Sequence, residues 1–315
     1  MKDIIKKGIE IVKNNPSIGR IKLAQLLGIN EMLARNIIFT AKFLMEELEI
    51  ENKYQIPSYN FHIPSPNKVF IFSDIHFPFE DAKALEIAVN ECIKYEPQTI
   101  IINGDLLDFY DISPFPKKHN FMDMIDGLNK AKHFLRELRL QFPEARIYFR
   151  EGNHEERLRN FIMKKVGIIA EVLEIHGINT KDMLGLEDLD IVFVKSEDKL
   201  YLDNLLIYHG HEVGLRSVSV KYVAQHLLNL VKTSMIVGHW HIVDTRAEYR
   251  FEVKNGKLEE LPIQVWCIGS LCQRHLPYLK QNPRFMNGFC YINVFEDGYF
   301  DVNNKKIINY RVVSA

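Results

Sequence analysis

The chain has 315 residues, 47% hydrophobic content and a formal net charge of -1, which indicate a folded protein with room for one large domain and a small second one. The balanced charge excludes a protein that is basic over its whole surface, although a local basic face remains compatible with it. The four cysteines form no C-x-x-C pair and are too sparse for a disulfide scaffold, so we expect reduced thiols and a cytoplasmic location.

The amino-terminal stretch MKDIIKKGIEIVKNN interrupts its apolar positions with charges every few residues. A signal peptide has a continuous apolar core instead. No other stretch approaches the ~20 apolar residues that a membrane helix needs. We therefore expect neither a membrane span nor a membrane partner.

Residues 1–52 are predicted to form a small all-α module of three amphipathic helices. Between the second and third helices, LLGIN supplies Gly28, which can take a positive φ, and Asn30, which can cap the following helix. The pattern LAQLLGINEMLARNIIFTAKFL therefore resembles a helix-turn-helix. The apolar residues that define the three helices are Ile4, Ile5, Ile9 and Val12, then Ile21, Leu23, Leu26 and Leu27, then Leu33, Ile37, Ile38, Phe43 and Leu44.

The third predicted helix carries two residues suited to nucleic-acid contact, Arg35 and Asn36. Glu31 opposes phosphate in the same helix, which is not strongly basic. Two interpretations stay open. The module reads DNA, or it packs against a partner or a second copy of the chain to form a homo-oligomer.

Residues 53–67 are predicted to be an extended linker, because KYQIPSYNFHIPSPNK carries three prolines and no periodicity. The domain boundary is placed there, and residues 68–315 form the second domain. In that domain the β-branched runs KVFIFSD, TIIINGD and RIYFREG alternate with helical stretches, which predicts βαβ units and an α/β fold. The runs DIVFVKS, NLLIYHG, SMIVGHW and IQVWCIGS add strands, GFCYINVFEDGYFDVN predicts a hairpin around Asp297 and Gly298, and IINYRVVSA predicts an edge strand.

Metal-ligating residue types follow nearly every predicted strand of the second domain, in the motifs FSDIHFP, INGDLLD, EGNHEE, YHGH and VGHWH. The carboxyl ends of strands in an open α/β sheet meet at one edge, so we expect these side chains to converge. Carboxylate, imidazole and amide donors without thiolate favour manganese, iron or zinc, and a carboxylate such as Asp105 can bridge two cations. The motifs predict a two-metal site that is open to water and substrate.

The ordered series D-x-H, G-D-x-x-D, G-N-H-E, H-G and G-H-x-H resembles the calcineurin-like metallophosphoesterase superfamily from about Lys68 to the C-terminus. The strings GDLLDFYDISPF and GNHEERLRNF are similar to metallophosphoesterases common in phages and prophages. The resemblance implies a four-layer αββα sandwich, in which helices flank two β sheets, and a metal-dependent hydrolase acting on phosphate esters. It implies two divalent ions, manganese being expected first and iron or zinc as alternatives. One ion would be held by Asp74, His76, Asp105 and His241, and the other by Asp105, Asn153, His209 and His239.

The resemblance also implies a mechanism, in which a hydroxide bridging the metals attacks phosphorus in line. His154 is expected to stay unligated near the leaving group, paired with Asp108 and kept partly cationic by it. The phosphoprotein phosphatases of the superfamily continue G-D-x-x-D with Arg-Gly, whereas Phe109 and Tyr110 follow here, which disfavours protein phosphatase activity.

Several residues beside the motifs are not assigned to the predicted metal site. Asp111 and Glu155 are interpreted as solvated loop charges, with orientation of ligands through hydrogen bonds as the alternative. Arg157 and Arg159 are interpreted as partners of surface acids on a helix, with contact to a substrate phosphate as the alternative. The role of His211, two residues after a ligand candidate, stays open.

A metallophosphoesterase joined to a DNA reader predicts a phosphodiesterase, and specifically a nuclease acting on nucleic acid. One alternative is a phosphomonoesterase or cyclic-nucleotide phosphodiesterase whose helices serve only for oligomerisation. Another is a catalytically inactive DNA-binding regulator. The complete ligand set argues against inactivity, because decay usually removes ligands first.

Overall fold

The computed structural model describes residues 2–15, 18–35, 37–38, 59–113, 123–167, 173, 176–214, 222–254, 257–276, 278–279 and 284–315. The chain divides into two compact units, Met1–Pro57 and Ser58–Ala315. Asn36, Phe43, Leu44 and residues 53–58 of the predicted linker lie outside the described residues. Among the helices that are described, none combines the length and apolar character needed to cross a bilayer.

The first unit contains helices α1 (Lys2–Asn14) and α2 (Arg20–Leu27), and residues 31–35 and 37–38 are also helical. Gly28 ends α2 with φ 63° and donates its N–H to the Ala24 carbonyl, and Asn30 Oδ1 accepts the Leu33 N–H at 2.8 Å. Both predictions for LLGIN are confirmed. The apolar face of α2 is narrower than predicted, because Leu23 and Ala24 are buried whereas Ile21 and Leu26 are more than half exposed. The buried core of the unit consists of Val12, Ile18, Leu23, Ala24, Ala34 and Ile37.

Two β sheets form the centre of the second unit. Within the described residues, one sheet has the order β13-β12-β11-β2-β3-β4-β5 and the other β1-β6-β7-β8-β10-β9. Strands β2 to β5 are parallel neighbours, and β11 to β13 extend that sheet antiparallel. The strands are β1 (Asn60–Ile63), β2 (Asn67–Phe72), β3 (Thr99–Asn103), β4 (Arg146–Arg150), β5 (Ile191–Val194), β6 (Lys199–Leu202), β7 (Leu205–Ile207), β8 (Met235–Val237), β9 (Asp244–Lys254), β10 (Lys257–Cys267), β11 (Asn287–Val294), β12 (Phe300–Ile308) and β13 (Arg311–Ser314).

Helices cover the outer faces of both sheets. In β2, Val69 and Ile71 contribute to the apolar core between the sheets, whereas Phe70 and Phe72 contribute to the core beneath the helices. This alternation is the two-residue period of a strand, and both faces are apolar because both are buried. The predicted four-layer αββα sandwich is confirmed. The helices are α3 (Ala82–Tyr95), α4 (Asp123–Gln141), α5 (Asn153–Val166), α6 (Thr180–Leu184) and α7 (Val223–Leu230), with 3₁₀ turns at Tyr110–Ile112 and His211–Val213.

Three strands differ from the expectation, because none of the predicted runs contains β1, β6 or β9. Residues 60–63 belong to the predicted linker but form β1, which pairs in parallel with β6. Pro57 and Pro64 stand outside this short strand, so neither interrupts its ladder, and Ile63 is buried. Strand β9 was also missed, because its sequence DTRAEYRFEVK is rich in charge, yet it pairs with β10 along all eleven residues. The predicted hairpin β11–β12 and the edge strand β13 are confirmed.

Candidate metal centre

The loops that leave five strands carry the predicted ligands to one place. Strands β2, β3 and β4 are adjacent and parallel, as are β7 and β8 in the second sheet. Their carboxyl ends therefore face the same side of the sandwich. The side chains that follow them are Asp74 and His76 after β2, Asp105 and Asp108 after β3, Asn153 and His154 after β4, His209 after β7, and His239 and His241 after β8.

The Asp105 carboxylate lies at the centre of this group. Its Oδ2 is 3.2 Å from His209 Nε2, 3.6 Å from His76 Nε2 and 3.8 Å from His154 Nε2. Asp105 is 1% exposed. A carboxylate in this position can serve two cations at once.

The hydrogen bonds of His209 direct its second ring nitrogen toward two further oxygen atoms. His209 Nδ1 lies 2.7 Å from the Asn103 carbonyl, which can only accept, so Nδ1 carries the proton. In the neutral ring, the Nε2 lone pair then faces two further acceptors, Asp105 Oδ2 at 3.2 Å and Asn153 Oδ1 at 3.3 Å. Three acceptors that point at one another repel unless positive charge lies among them. A divalent cation fits this donor set.

A second pair of imidazoles shows the same arrangement. His76 Nδ1 is 2.9 Å from Asp108 Oδ2, which leaves its Nε2 pointing at His241 Nε2 at 3.1 Å. His241 Nε2 is also 3.2 Å from Asp74 Oδ1. Both imidazoles are buried, so bulk water does not separate these atoms. This cluster too can hold a cation.

The pKa shifts have the same electrostatic origin. Burial would raise the pKa of Asp74, but His241 and His209 outweigh it and lower the pKa to about 2. Burial would lower the pKa of His209, but Asp105 and Asp74 raise it to about 10. The carboxylates thus attract positive charge strongly enough to overcome desolvation.

The potential ligands form four overlapping groups among the described residues, in each of which the ligand atoms lie within 4.8 Å of one another. Two groups consist of Asp74, His76 and Asp105 and of Asp105, His209 and His239, and the other two join His76 to Asp108 and His154 and to His241 and Cys272. His241 lies beside Asp74 and Asn153 beside His209, so the structure brings together all seven residues to which the resemblance assigns metal binding. Cys272 is a further neighbour, with its Sγ 3.6 Å from His241 Nδ1.

Comparison with known proteins supports this geometry. A model of the calcineurin-like phosphoesterase family matches residues 67–243, which is more than half of the chain. The chain belongs to the calcineurin-like phosphoesterase family. This is a family of metal-dependent hydrolases that act on phosphate esters, so the family and the enzyme class predicted from the five motifs are confirmed.

Phage proteins are among the relatives of this calcineurin-like phosphoesterase. It is 24% identical to the Gene 54 protein of Mycobacterium phage L5 over 179 residues, which are 55% of this chain and 69% of the relative. The Gene 54 protein of Mycobacterium phage D29 matches with the same identity and coverage. The predicted similarity to phage proteins is thereby confirmed.

His154 pairs with Asp108 as expected, but the pairing is through the backbone carbonyl and the charge of the ring differs from the expectation. Its Nδ1 lies 2.7 Å from the Asp108 backbone carbonyl, and the Asp108 carboxylate is farther away at 3.7 Å. Its Nε2 lies 2.7 Å from Arg157 Nη2, a donor, so Nε2 is the acceptor of a neutral ring. Burial lowers the pKa of His154 to about 3, against the opposing effect of Asp105. The expectation that Asp108 keeps His154 partly cationic is wrong for this structure.

Glu155 is not a solvated loop charge. It is 1% exposed, and its carboxylate accepts the backbone N–H groups of Gly152 and Asp105 at Oε2 and of Leu107 at Oε1, each at 2.9 Å. Burial raises the pKa of Glu155 to about 7, and Asp105 adds to the rise while the backbone donors oppose it. Glu155 thus joins the loops after β3 and β4. Its place three residues after Gly152, at the start of α5, is that of a capping-box glutamate.

A buried ion pair holds the loop of His209. Glu212 accepts the N–H groups of His209 at 3.1 Å and Gly210 at 2.6 Å. Arg150, fully buried at the end of β4, donates to Glu212 at 2.6 Å and lies over the Tyr208 ring. Burial would raise the pKa of Glu212, but Arg150 lowers it to about 2. No sequence motif indicates this pair.

Several proposed ligands have a left-handed backbone, which is uncommon in residues other than glycine. Such residues are held in place by the surrounding structure and cluster at functional sites. Gly152 and Gly238 allow the loops to approach closely, since a Cβ there would lie 2.3 Å from Asp105 Oδ1 and 2.2 Å from Ser73 Oγ respectively. The left-handed residues are Asp74, His76, Asp105, His239 and His241, with φ between 50° and 63°.

The other neighbours of the motifs take structural roles. His211 Nε2 lies 3.1 Å from Glu156 Oε1, and Arg159 lies 3.9 Å from Glu197. Asp111 accepts the Met124 N–H at 3.1 Å near the start of α4. Arg157, by contrast, lines the cleft beside the metal centre, where it fits the alternative interpretation as a contact for a substrate phosphate. The cleft has an empty volume of about 860 Å³.

We expect Glu155→Gln to destabilise the protein and weaken manganese binding. Glutamine has one acceptor oxygen, so at least one of the three N–H groups would face an amide NH₂, which costs roughly 1–3 kcal/mol of unfolding free energy. Urea denaturation and calorimetric titration with manganese measure the two effects. Glu137→Gln, at an exposed position of α4, is the matched control. Unchanged stability and metal affinity in Glu155→Gln would refute this role.

Proposed function

We propose that this chain is a two-metal phosphodiesterase that cleaves nucleic acid, with residues 1–52 as a separate DNA-binding module. Residues 68–315 form the catalytic domain, and the connecting stretch 53–67 adds strand β1 to it. The observation that carries the catalytic part is the arrangement around Asp105, where imidazole lone pairs face carboxylate and amide oxygens at 3.2 to 3.3 Å. One cation is assigned to Asp74, His76, Asp105 and His241, and the other to Asp105, Asn153, His209 and His239. Manganese is the metal expected first, with iron or zinc as alternatives.

Two divalent cations at these positions would supply Lewis acidity and offset the negative charge of the phosphoryl group in the transition state. The protein holds the donor atoms at fixed positions. Asp108 orients His76 through its carboxylate and His154 through its carbonyl. Asp108 therefore acts through these histidines as a positioning residue.

His154 and Arg157 are assigned to the reacting phosphate. The Asp108 carbonyl holds the proton on His154 Nδ1, so His154 Nε2 accepts from Arg157. Arg157 Nη1 donates to the same carbonyl at 2.9 Å. With both groups in the cleft, the guanidinium can donate to a phosphoryl oxygen or to the departing oxygen.

The lining of the cleft favours a diester over a monoester. Beside the metal centre it contains the apolar side chains Leu276, Leu279 and Phe285, which can cover the second ester arm that only a diester has. Arg157 is the one arginine or lysine among the described residues that line it, and its charge adds to that of the proposed cations. The amino-terminal module supports the same choice if it binds DNA.

We expect manganese-dependent hydrolysis of bis-p-nitrophenyl phosphate and of DNA, and slower hydrolysis of p-nitrophenyl phosphate. Asp105→Asn should abolish all activity and metal binding, because Asp105 is the proposed ligand that both cations share. His154→Ala should retain metal and lower kcat, because Arg157 would lose the acceptor that orients its guanidinium. Activity assays and metal analysis of each variant check this, with His133→Ala on α4 as a control for substitution of an exposed histidine.

Three results would contradict the proposal. Turnover of the monoester alone would favour a phosphomonoesterase whose helices serve for assembly. DNA binding without metal uptake would favour a regulator. Full activity in Asp105→Asn would place the site elsewhere.

Substitution of Arg157 tests whether this residue contacts the reacting phosphate or is only a surface arginine. Arg157→Met should lower kcat/KM for the diester by roughly 10²–10³, as removal of one transition-state donor does. Arg157→Lys should recover part of the lost kcat/KM, because lysine keeps the charge but lacks the planar pair of donors. Steady-state kinetics with a series of p-nitrophenyl and less activated phenyl diesters measures this. Arg159→Met, two residues along α5, is the matched control, and an equal loss there would overturn the assignment.

The amino-terminal module is proposed to bind DNA through Arg35. Its confirmed turn at Gly28 and cap at Asn30 support a helix-turn-helix, and Arg35 is exposed. Arg20 lies 3.3 Å from Glu31, so that acid is partly offset. Asn36, the second proposed contact, lies outside the described residues.

Arg35→Ala should weaken DNA binding at all sequences and reduce the slope of log affinity against log salt by about one. Fluorescence anisotropy with a labelled duplex measures this in the full chain carrying Asp105→Asn, so that DNA stays intact. Arg311→Ala, an exposed arginine in β13, is the control. An unchanged affinity and salt slope in Arg35→Ala would argue for an assembly role.

A further inference from the structure

An aromatic wall forms one side of the cleft. We use this name for Phe79, Tyr110, Leu276, Tyr278 and Phe285, which pack as a separate apolar cluster. The rings of Tyr110 and Tyr278 are stacked at 4.5 Å, and Phe79 meets Tyr278 edge-on at 5.6 Å. Three of its members come from residues 276–285, beyond the part of the chain that matches the family model. More than half of the wall residues thus lie outside the part of the chain that the family model matches.

Hydrogen bonds fix the aromatic wall to the metal centre. The Tyr278 hydroxyl donates to Asp108 Oδ2 at 2.6 Å, and the Met286 N–H donates to the His241 carbonyl at 2.7 Å. The Gln273 N–H donates to the Phe79 carbonyl at 2.8 Å. The segment that carries the wall is thus attached on both sides to loops that carry proposed ligands.

The wall adjoins the place where the phosphate would bind. The Phe285 ring lies 4.3 Å from the ring of His241, and Leu279, 37% exposed, lines the same cleft. The ring contacts lead from His154 to His76, from His76 to His241, and from His241 to Phe285. Because His154 and Phe285 are the two ends of this series of contacts, we place the departing oxygen beside His154 and the retained ester arm beside Phe285.

The chemistry of the wall selects a flat and uncharged group. Aromatic and leucine side chains gain from covering a planar ring, and such stacking accepts any base because each has a π face. Apart from Asp105 in the metal centre, the described residues that line the cleft include no carboxylate to bind a cationic group. A short alkyl arm would leave the wall uncovered.

We infer that the aromatic wall, together with the neighbouring Leu279, binds the base of the nucleotide whose phosphate lies at the metal centre. Phe285 of the wall and Leu279 beside it set this preference. The inference rests on the proposed phosphodiesterase function. It names the substrate class as nucleoside phosphodiesters and separates them from simple alkyl diesters.

Two substrates with the same leaving group test the preference. Thymidine 5′-(p-nitrophenyl phosphate) and methyl p-nitrophenyl phosphate differ only in the retained arm. Wild type should favour the thymidine ester by about tenfold in kcat/KM, the effect of one stacked base. Phe285→Ala and Leu279→Ala should each reduce that preference and leave the methyl ester within about twofold. Phe251→Ala, at an exposed phenylalanine of β9, is the matched control.

Binding of the products provides a readout without catalysis. Calorimetry with the manganese-loaded protein should show thymidine 5′-monophosphate bound about tenfold more tightly than methyl phosphate, and Phe285→Ala should abolish the difference. Equal binding by wild type, or an equal loss on both substrates in Phe285→Ala, would overturn the inference. Selective binding of thymidine 5′-monophosphate without turnover of either ester would support base binding by the aromatic wall and reject the phosphodiesterase function.

Discussion

The catalytic domain depends on one electrostatic constraint, which is that buried acceptor atoms face one another around Asp105. His209 illustrates it most clearly, because the Asn103 carbonyl holds the proton on Nδ1 and leaves the Nε2 lone pair among oxygens. Such an arrangement is unfavourable without positive charge. The surrounding fold must therefore be stable enough to hold the loops in place, and a divalent cation would relieve the repulsion.

Much of that stability comes from backbone hydrogen bonds to buried carboxylates. Glu155 ties the loop after β3 to that after β4, and Glu212 with Arg150 ties the loop after β7 to β4. Each carboxylate satisfies N–H groups that would otherwise be buried without partners. Acidic residues thus serve two purposes in this protein, since some face the centre and others hold its loops.

The sequence predicted the convergence of the ligands because motif residues at successive strand ends must meet at one edge of the sheets. It could not show which atom of Asp108 faces His154, so it missed the neutral ring and its contact with Arg157. Glu155 was misjudged because spacing alone does not tell a capping glutamate from a solvated one. Strand β1 was hidden by its flanking prolines. The aromatic wall has no motif, since its members are far apart in the chain and apolar like any core residue.

The position of three wall residues late in the chain has an evolutionary consequence. The proposed ligands lie at residues 74–241, whereas Leu276, Tyr278 and Phe285 follow β10. Mutations in that later segment could alter which alcohol is esterified to the phosphate without replacing any proposed ligand. A lineage could therefore change its substrates through a stretch of about ten residues, within the limits set by the hydrogen bonds that join this stretch to Asp108 and His241.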